Sequence, residues 1–303
     1  MIEAHGLTKR YGPKTAVDGI DFTIPPGRVT GFLGPNGAGK STTMRMIVGL
    51  DRPDAGSVLV SGSPYARLRA PLHEVGVLLD AKAVHPGRTA EKHLLALAAT
   101  HRIPRRRVRE VIELTGLETV ARKRVGGFSL GMGQRLGIAA AMLGDPRVLI
   151  LDEPVNGLDP EGVRWVRMLL RHLASEGRTV LLSSHLMSEM AQTADHLIVI
   201  GRGRVLADAP VDQVVGAGTT LVRVRTPRPD ALTAALPGVQ IAVAEDGALE
   251  ATGATPEQIG DAAARAGIPL HELTTVAGSL EDAYLDLTRD AVEYGSAAIG
   301  ATR

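Results

Sequence analysis

The sequence predicts an α/β protein with a mainly parallel sheet, followed by a smaller α+β domain. Through the first two hundred residues, short apolar runs typical of strands alternate with segments of helical periodicity, and this alternation favours a parallel sheet. A chain of 303 residues is long enough for about two domains. A small polar linker, 216–220, separates the predicted first domain, 1–215, from the predicted second domain, 221–303. Residues 89–145 are predicted to form a helical insert in the first domain.

Local patterns justify the main elements of the first domain. Residues 28–33 form an apolar run, which is followed by a glycine-rich turn and a predicted helix over about 40–50. Residues 147–151 and 179–183 are short apolar runs, typical of strands that are buried on both faces of a sheet. Asp159 precedes a proline, and this pair favours the start of a helix because the carboxylate can cap it.

The second domain has a different pattern. Residues 221–225 and 239–244 are predicted to be strands, and residues 256–266 and 280–288 are predicted to be helices. The first domain carries 28 basic and 21 acidic side chains, whereas the chain from residue 216 onward carries 6 and 12. We therefore expect an α+β accessory domain that faces different partners from the first domain.

The composition excludes several classes of function. The chain has no cysteine, which excludes disulfides, thiolate zinc sites and cysteine nucleophiles. Aromatic residues make up 3%, too few to favour stacking on single-stranded nucleic acid. No stretch approaches the roughly 18 apolar residues that a membrane span needs, and the first residues lack a signal-peptide pattern. We expect a cytoplasmic protein whose membrane role, if it has one, needs a separate spanning partner.

A glycine-rich motif stands between a predicted strand and a predicted helix and fits G-x-x-x-x-G-K-[ST]. Its residues, followed by Thr42, are Gly34, Pro35, Asn36, Gly37, Ala38, Gly39, Lys40 and Ser41. Glycines let backbone N–H groups surround phosphate oxygens, and the helix N-terminus adds donors and a favourable dipole. Lys40 can reach the β- and γ-phosphates, and the Ser41 hydroxyl can bind Mg²⁺. The alternative, a chance glycine-rich turn, is disfavoured by the strand–turn–helix context.

Two carboxylates, Asp152 and Glu153, follow the apolar run at 148–151. Asp152 is predicted to bind Mg²⁺, directly or through water. Glu153 is predicted to orient or deprotonate the attacking water. A solvated turn is the alternative, since Asp-Glu-Pro is good turn chemistry. The phosphate motif favours the catalytic interpretation, because phosphoryl transfer needs both parts.

Further motifs follow one another in an ordered series. Residues 129–135 are SLGMGQR, residues 157–159 are GLD, and a histidine stands at position 185. With the glycine-rich motif and the Asp-Glu pair, this series resembles the ATP-binding subunit of ABC transporters over residues 1 to about 215. The resemblance implies a P-loop NTPase fold of ABC type, with helices packed on a mixed sheet.

The resemblance also implies roles for single residues. Ser129 and Gly131, in the family's signature sequence, would contact ATP that is bound to the other subunit of a head-to-tail dimer. Asp159 would belong to the loop that joins the two sites. His185 would contact the γ-phosphate and brace the catalytic carboxylate, and Tyr11 would stack on adenine.

The activity implied by the resemblance is Mg²⁺-dependent ATP hydrolysis, with Glu153, His185 and Lys40 as catalytic residues. The implied partners are a second ATPase subunit and a separate integral-membrane permease, which would hold the protein on the inner face of the membrane. Residues 280–288 resemble the ending of ABC ATPases that pair with permeases of the daunorubicin-resistance type. This weaker match implies export of a drug, a lipid or another amphipathic cargo.

Some positions depart from the family pattern. After residues 75–79 the family has a glutamine, whereas this chain has Asp80. An amide donates and accepts hydrogen bonds, but an ionised carboxylate only accepts them. Asp80 could bind Mg²⁺ directly or lie outside its coordination sphere, and we expect it to weaken or retune basal turnover. Leu130 and Met132 also replace residues of many members, while the adjacent Gly131 is kept.

The predicted helical insert is strongly basic. The residues that make it so are Arg102, Arg105, Arg106, Arg107, Arg109, Arg122, Lys123 and Arg124. A solvated helix face is the favoured interpretation, anionic membrane headgroups come second, and nucleic acid comes third. A soluble ABC-type switch on nucleic acid or in translation is the alternative function, which the single cassette disfavours. A nucleotide-binding module without turnover is disfavoured because Glu153 and His185 are both present.

Overall fold

The computed structural model describes residues 1–217, 221–244, 246–276 and 280–288. The chain divides into two compact units, Met1–Pro210 and Val211–Leu287. The division falls just before the predicted linker, of which residues 218–220 lie outside the described residues. Residues 289–303 of the predicted second domain also lie outside them.

The elements of the described chain alternate as the patterns predict. The strands are β1 (Ile2–Tyr11), β2 (Lys14–Ile24), β3 (Val29–Leu33), β4 (Ala55–Val60), β5 (Val75–Leu78), β6 (Val148–Asp152), β7 (Thr179–Ser183), β8 (His196–Gly201), β9 (Arg204–Pro210), β10 (Leu221–Arg225), β11 (Gln240–Val243), β12 (Leu249–Thr252) and β13 (Glu272–Val276). The helices are α1 (Lys40–Ile47), α2 (Pro71–Glu74), α3 (Ala90–Thr100), α4 (Arg105–Leu114), α5 (Leu130–Ala141), α6 (Pro160–Ser175), α7 (Met187–Thr193), α8 (Val211–Ala217), α9 (Pro229–Ala235), α10 (Pro256–Arg265) and α11 (Leu280–Thr288).

The first unit is built on a six-stranded sheet with the order β5-β6-β7-β3-β8-β9. Neighbours from β5 through β8 are parallel, and β9 pairs antiparallel with β8. A smaller antiparallel sheet has the order β2-β1-β4. The predicted α/β class with a mixed sheet is therefore confirmed. The parallel strands β3, β6 and β7 bring their carboxyl ends to one edge of the sheet, where the predicted motifs follow.

Helices occupy the segment between β5 and β6. Residues 89–145 contain α3, α4 and α5, whose buried faces include Leu94, Val108 and Leu136. Arg107 of α4 donates to the carbonyl oxygen of Met142 at 2.8 Å, which ties α4 to the end of α5. These contacts pack the three helices together.

An apolar core holds β3 and β6 in place. All five residues of β3 are buried, and the first four of β6 are buried as well. The rings of Phe22 and Phe32 pack with their centroids 5.6 Å apart. Burial of this kind contributes about 25 cal/mol per Å² of apolar surface removed from water. The loops that follow β3 and β6 are therefore anchored to well-packed strands.

The second unit contains an antiparallel sheet with the order β11-β12-β10-β13. Val222 and Val224 of β10 are buried with Leu249 and Ile259, whereas Arg223 and Arg225 alternate with them on the other face. The unit is an α+β arrangement, as its sequence pattern predicts. Among the described residues of both units, each helix is too short or too polar to cross a lipid bilayer.

Candidate functional site

The glycine-rich motif forms the turn between β3 and α1. Gly37 and Gly39 have φ angles of +84° and +109°, a region that residues with a Cβ atom rarely adopt. A Cβ atom on Gly39 would also lie 2.5 Å from the carbonyl oxygen of Ala16. Helix α1 begins after a glycine with no capping side chain, so its first N–H groups are open to a ligand.

Lys40 is folded back onto this turn. Its Nζ donates to the carbonyl oxygen of Gly34 at 2.7 Å and to that of Pro35 at 3.2 Å, and the residue is only 7% exposed. Burial lowers the pKa of the Lys40 ammonium, and the carboxylates of Glu153 and Asp152 oppose this shift. The turn thus holds a buried cation on neutral oxygens, an arrangement that suits an anionic ligand.

Asp152, the last residue of β6, accepts hydrogen bonds from two hydroxyl groups. The Ser41 Oγ donates to Asp152 Oδ2 at 2.6 Å, and the Ser183 hydroxyl donates to the other carboxylate oxygen. Ser183 is brought there because β7 pairs in parallel with β6 and places it opposite Asp152. Hydroxyl and carboxylate oxygens are hard donors of the kind that Mg²⁺ binds, so this donor set fits the predicted metal. No group of three His, Asp or Glu side chains that could hold a metal occurs in the described chain.

Glu153 and His185 form a hydrogen-bonded pair beside this carboxylate. His185 Nδ1 lies 2.8 Å from Glu153 Oε2, and it is the donor because an ionised carboxylate only accepts. The backbone of Glu153 has a φ angle of +51°, and its N–H donates to Ser183 Oγ at 3.0 Å. These contacts give the Glu153 carboxylate a defined direction.

One cavity unites the phosphate motif and the acidic strand end. Its volume is about 260 Å³ and its lining residues are Asn36, Gly37, Gly39, Lys40, Ser41, Thr42, Leu79, Asp152 and Glu153. Within the described chain, Asp80 is not part of this lining. It is exposed, and its Oδ1 accepts a hydrogen bond from the Lys82 N–H at 2.8 Å. The cavity offers a cation, N–H donors and two carboxylates to a polyanion with a metal.

The chain is similar in sequence to proteins of a known family. Residues 17–156 match the family model described as ABC transporter, and residues 220–281 match a Domain of unknown function (DUF8746). The chain is 36% identical over 296 residues to the Nod factor export ATP-binding protein I of Rhizobium sp. (strain N33), covering 95% of this chain and 96% of that protein. It is 41% identical over 217 residues to the bacitracin transport ATP-binding protein BcrA of Bacillus licheniformis, covering 71% of each.

The chain belongs to the ABC transporter ATP-binding proteins. The solved dimeric structure of MJ0796, a bacterial ABC transporter cassette, matches this ABC ATPase with a TM-score of 0.64 and 25% identity, covering 70% of this chain and 99% of the cassette. The same cassette in a post-hydrolysis state, bound to ADP and phosphate, matches equally well. The predicted resemblance and the predicted ATPase activity are therefore confirmed.

Tyr11 of the ABC ATPase lies at the end of β1 and is 48% exposed. Its hydroxyl donates to Asp51 Oδ2 at 2.7 Å, and this hydrogen bond raises the pKa of the phenol. The Lys9 ammonium lies 5.5 Å from the ring centroid. The structure leaves the ring accessible, and its stacking on adenine stays a prediction.

The signature sequence and the loop at 157–159 lie in contact with each other but do not line the cavity. Ser129 caps α5 by accepting the Met132 N–H at 3.2 Å, and Asp159 caps α6 by accepting the Gly162 N–H at 2.8 Å. A Cβ atom on Gly131 would lie 2.8 Å from the carbonyl oxygen of residue 157, so the two segments approach closely. Both polar side chains thus act as helix caps within the single chain.

Two contacts of the site were not predicted from the sequence. Ser183 binds Asp152, and the strand pattern at 179–183 combined with parallel pairing could have placed it there. Gln134 is 6% exposed and donates from Nε2 to the carbonyl oxygen of Glu153 at 3.1 Å. No local pattern indicates the second contact, because it joins a helix to the end of a distant strand.

Proposed function

We propose that two copies of this ABC ATPase bind two ATP molecules at a shared interface and use their hydrolysis to drive export through a separate membrane permease. The observation that carries the proposal is the cavity in which Lys40, Asp152 and Glu153 meet at the carboxyl ends of β3 and β6. Export is supported by relatives named for bacitracin transport and Nod factor export. The proposed cargo is a drug, a lipid or another amphipathic molecule, and the protein would lie on the inner face of the membrane through its permease.

The first unit supplies groups for both the nucleotide and its metal. The N–H groups at the start of α1 and the Lys40 ammonium would hold the phosphates. Ser41 and Asp152 would hold Mg²⁺, and of the two expectations for Asp80, the position outside the coordination sphere is the one that the cavity lining supports. Bound Mg²⁺ neutralises charge on the β- and γ-phosphate oxygens.

Glu153 directs the attacking water in this proposal. The hydrogen bond from His185 Nδ1 fixes one carboxylate oxygen, and the backbone N–H bonds to the Ser183 oxygens fix the main chain. A positioned general base contributes about 10²–10⁴-fold to the rate. Lys40 and His185 stabilise charge on the transferred phosphoryl group, so catalysis comes from positioning and electrostatics.

Each complete site takes its remaining groups from a second copy. Ser129 and Gly131 do not line the cavity of their own chain, although the family resemblance assigns them to ATP. A head-to-tail dimer brings them, with Asp159, to the neighbouring subunit's nucleotide. The dimeric cassette among the matching solved structures supports this assembly.

The test of the ATPase assignment is Glu153→Gln. We expect this variant to bind ATP and to dimerise with Mg-ATP, while phosphate release falls at least about 100-fold. The matched control is Glu118→Gln, an exposed carboxylate outside the site, which should change turnover less than twofold. Robust hydrolysis by Glu153→Gln overturns the role of Glu153, and a monomer without ATP affinity overturns the whole proposal.

The test of the transport assignment is affinity purification from detergent-solubilised membranes of the source cells. We expect an integral-membrane protein in a fixed ratio to the ATPase, as a permease would be. Salt-dependent binding of the purified chain to nucleic acid, with no such membrane protein, would favour the alternative soluble switch.

A further inference from the structure

Gln134, on α5, is a buried amide whose two polar atoms have different surroundings. Its Nε2 donates to the carbonyl oxygen of Glu153 at 3.1 Å. Its Oε1 is buried and has no hydrogen-bond partner among the described residues. A buried acceptor without a partner destabilises the fold. If the side chain only filled space, an apolar side chain of the same size would therefore be more stable here. The hydrogen bond that Nε2 donates to Glu153 therefore explains why an amide side chain occupies this buried position.

The orientation of this amide is dictated by its partner. Rotation of the group by 180° would set Oε1 against the carbonyl oxygen of Glu153, and two acceptors cannot form a hydrogen bond. Only the NH₂ side can face Glu153. The donor function of Gln134 is thus a property of the site.

Glu153 is held at several points, and Gln134 supplies one of them. Its left-handed backbone, with φ at +51°, is uncommon for a residue with a Cβ atom and persists where neighbours hold it. The N–H is held by Ser183, and the carboxylate is held by His185. The carbonyl is held by Gln134. Loss of the last bond would loosen the backbone that carries the catalytic carboxylate.

The same helix carries the signature at its first turn. Ser129 caps α5, and Gly131 packs against the loop at 157–159. Gln134 stands one turn further along and reaches Glu153. A helix of 12 residues is a rigid connection over this distance, so a displacement at its first turn reaches the amide.

We propose that Gln134 is a positioning residue that couples the signature end of α5 to the catalytic Glu153 of the same subunit. The inference rests on the proposed function, because the signature would contact ATP on the partner subunit. Contact of that ATP with Ser129 sets the position of α5. The hydrogen bond from the Gln134 side chain then sets the position of the Glu153 carbonyl group. Occupancy of one site thereby controls the carboxylate in the other.

The first experiment replaces the amide in the full chain. Gln134→Met keeps the size of the side chain and removes the donor, so kcat should fall about tenfold while KM for ATP changes less than twofold. The control is Gln240→Met, at an exposed position of β11, which should change neither parameter. An unchanged kcat in Gln134→Met overturns the proposal.

The second experiment separates coupling from local support. Ser129→Ala and Gln134→Met are combined, and kcat of the double variant is compared with both single variants. If the two residues act on one pathway, the double variant is about as slow as the slower single variant. Multiplied losses mean independent roles and overturn the coupling. Because the Glu153→Gln test bears on hydrolysis and dimerisation alone, its outcome distinguishes failure of the proposed function from failure of this inference.

Discussion

The charged side chains at the cavity of the first unit and those on the sheet of the second unit have different kinds of partner. In the first unit, the buried Lys40 ammonium is held by neutral carbonyl oxygens, and Asp152 is held by two hydroxyls. In the second unit, Arg223 and Arg225 lie on the outer face of the sheet and pair with carboxylates. Those carboxylates are Asp246, Glu250 and Glu272.

This difference distinguishes charges that can bind a ligand, in the first unit, from charges that only stabilise the fold, in the second unit. Paired charges on a partly exposed face neutralise one another and need no ligand. Lys40, Asp152 and Glu153 of the first unit converge on a cavity where a polyanion and a metal would complete them. The topology contributes, because parallel strands bring several carboxyl ends to one edge, whereas the antiparallel second sheet alternates its strand ends.

The largest effect on this comparison is expected from Asp152→Asn. An amide is a weaker ligand for Mg²⁺ than a carboxylate, so turnover should fall at least about 100-fold and the Mg²⁺ requirement should rise. Phosphate release measured over a Mg²⁺ titration checks this. The control is Asp261→Asn, an exposed carboxylate of the second unit. An unchanged Mg²⁺ dependence would remove Asp152 from the metal site.

A smaller effect is expected at Tyr11. Stacking of a base on an aromatic ring contributes about 1–3 kcal/mol, so Tyr11→Leu should weaken ATP binding about tenfold. Tyr11→Phe is the matched control, since it keeps the ring and loses only the hydroxyl bond to Asp51. Equal affinities of the two variants for a fluorescent ATP analogue would exclude stacking.

Arg225→Met tests the scaffold side of the comparison. Arg225 Nε lies 3.0 Å from Glu272 Oε2 on the sheet surface. We expect a lower melting temperature for the second unit and an ATP turnover within twofold of the unaltered chain. Calorimetry and phosphate release check the two halves of this prediction. A loss of turnover with no change in melting would mean that these charges belong to a site.

The pKa of Asp246 gives a second test of the ion pairs on the sheet of the second unit. Its pKa is lowered most by the hydrogen bond from the backbone N–H of Ala248; desolvation, the second-largest influence, opposes this shift, and Arg223 and Arg225 lower the pKa by smaller amounts. A lowered pKa stabilises the fold above the unfolded value, about 3.9, and this contribution is lost as the pH falls through the folded value. Arg225→Met should raise the pKa of Asp246 in an NMR titration. An unshifted titration would show that the arginine has no influence there.

The smallest effect is expected from Asp80→Gln. Asp80 lies outside the cavity lining and already accepts the Lys82 N–H, so basal turnover and Mg²⁺ dependence should change less than twofold. A larger change in the Mg²⁺ titration would instead place Asp80 among the metal ligands, the other expectation from the sequence.

Local patterns predicted elements in both units. The runs at 179–183 and 221–225 match β7 and β10 in their bounds, since continuous or alternating apolar residues mark buried strands. The helix expected over 40–50 ends at Ile47, and β12 and β13 were not predicted. Short strands with few apolar residues have patterns too weak to detect, because tertiary contacts stabilise them.

The chemistry of the site was determined by the sequence alone: a glycine turn that only small residues can form, a lysine and a serine after it, and a carboxylate pair after an apolar strand. The tertiary structure alone decided that Ser183 meets Asp152 and that Gln134 holds Glu153. The physical reason is distance along the chain. Backbone conformation and residue chemistry are local properties, whereas these contacts depend on strand register and helix packing between residues far apart in sequence.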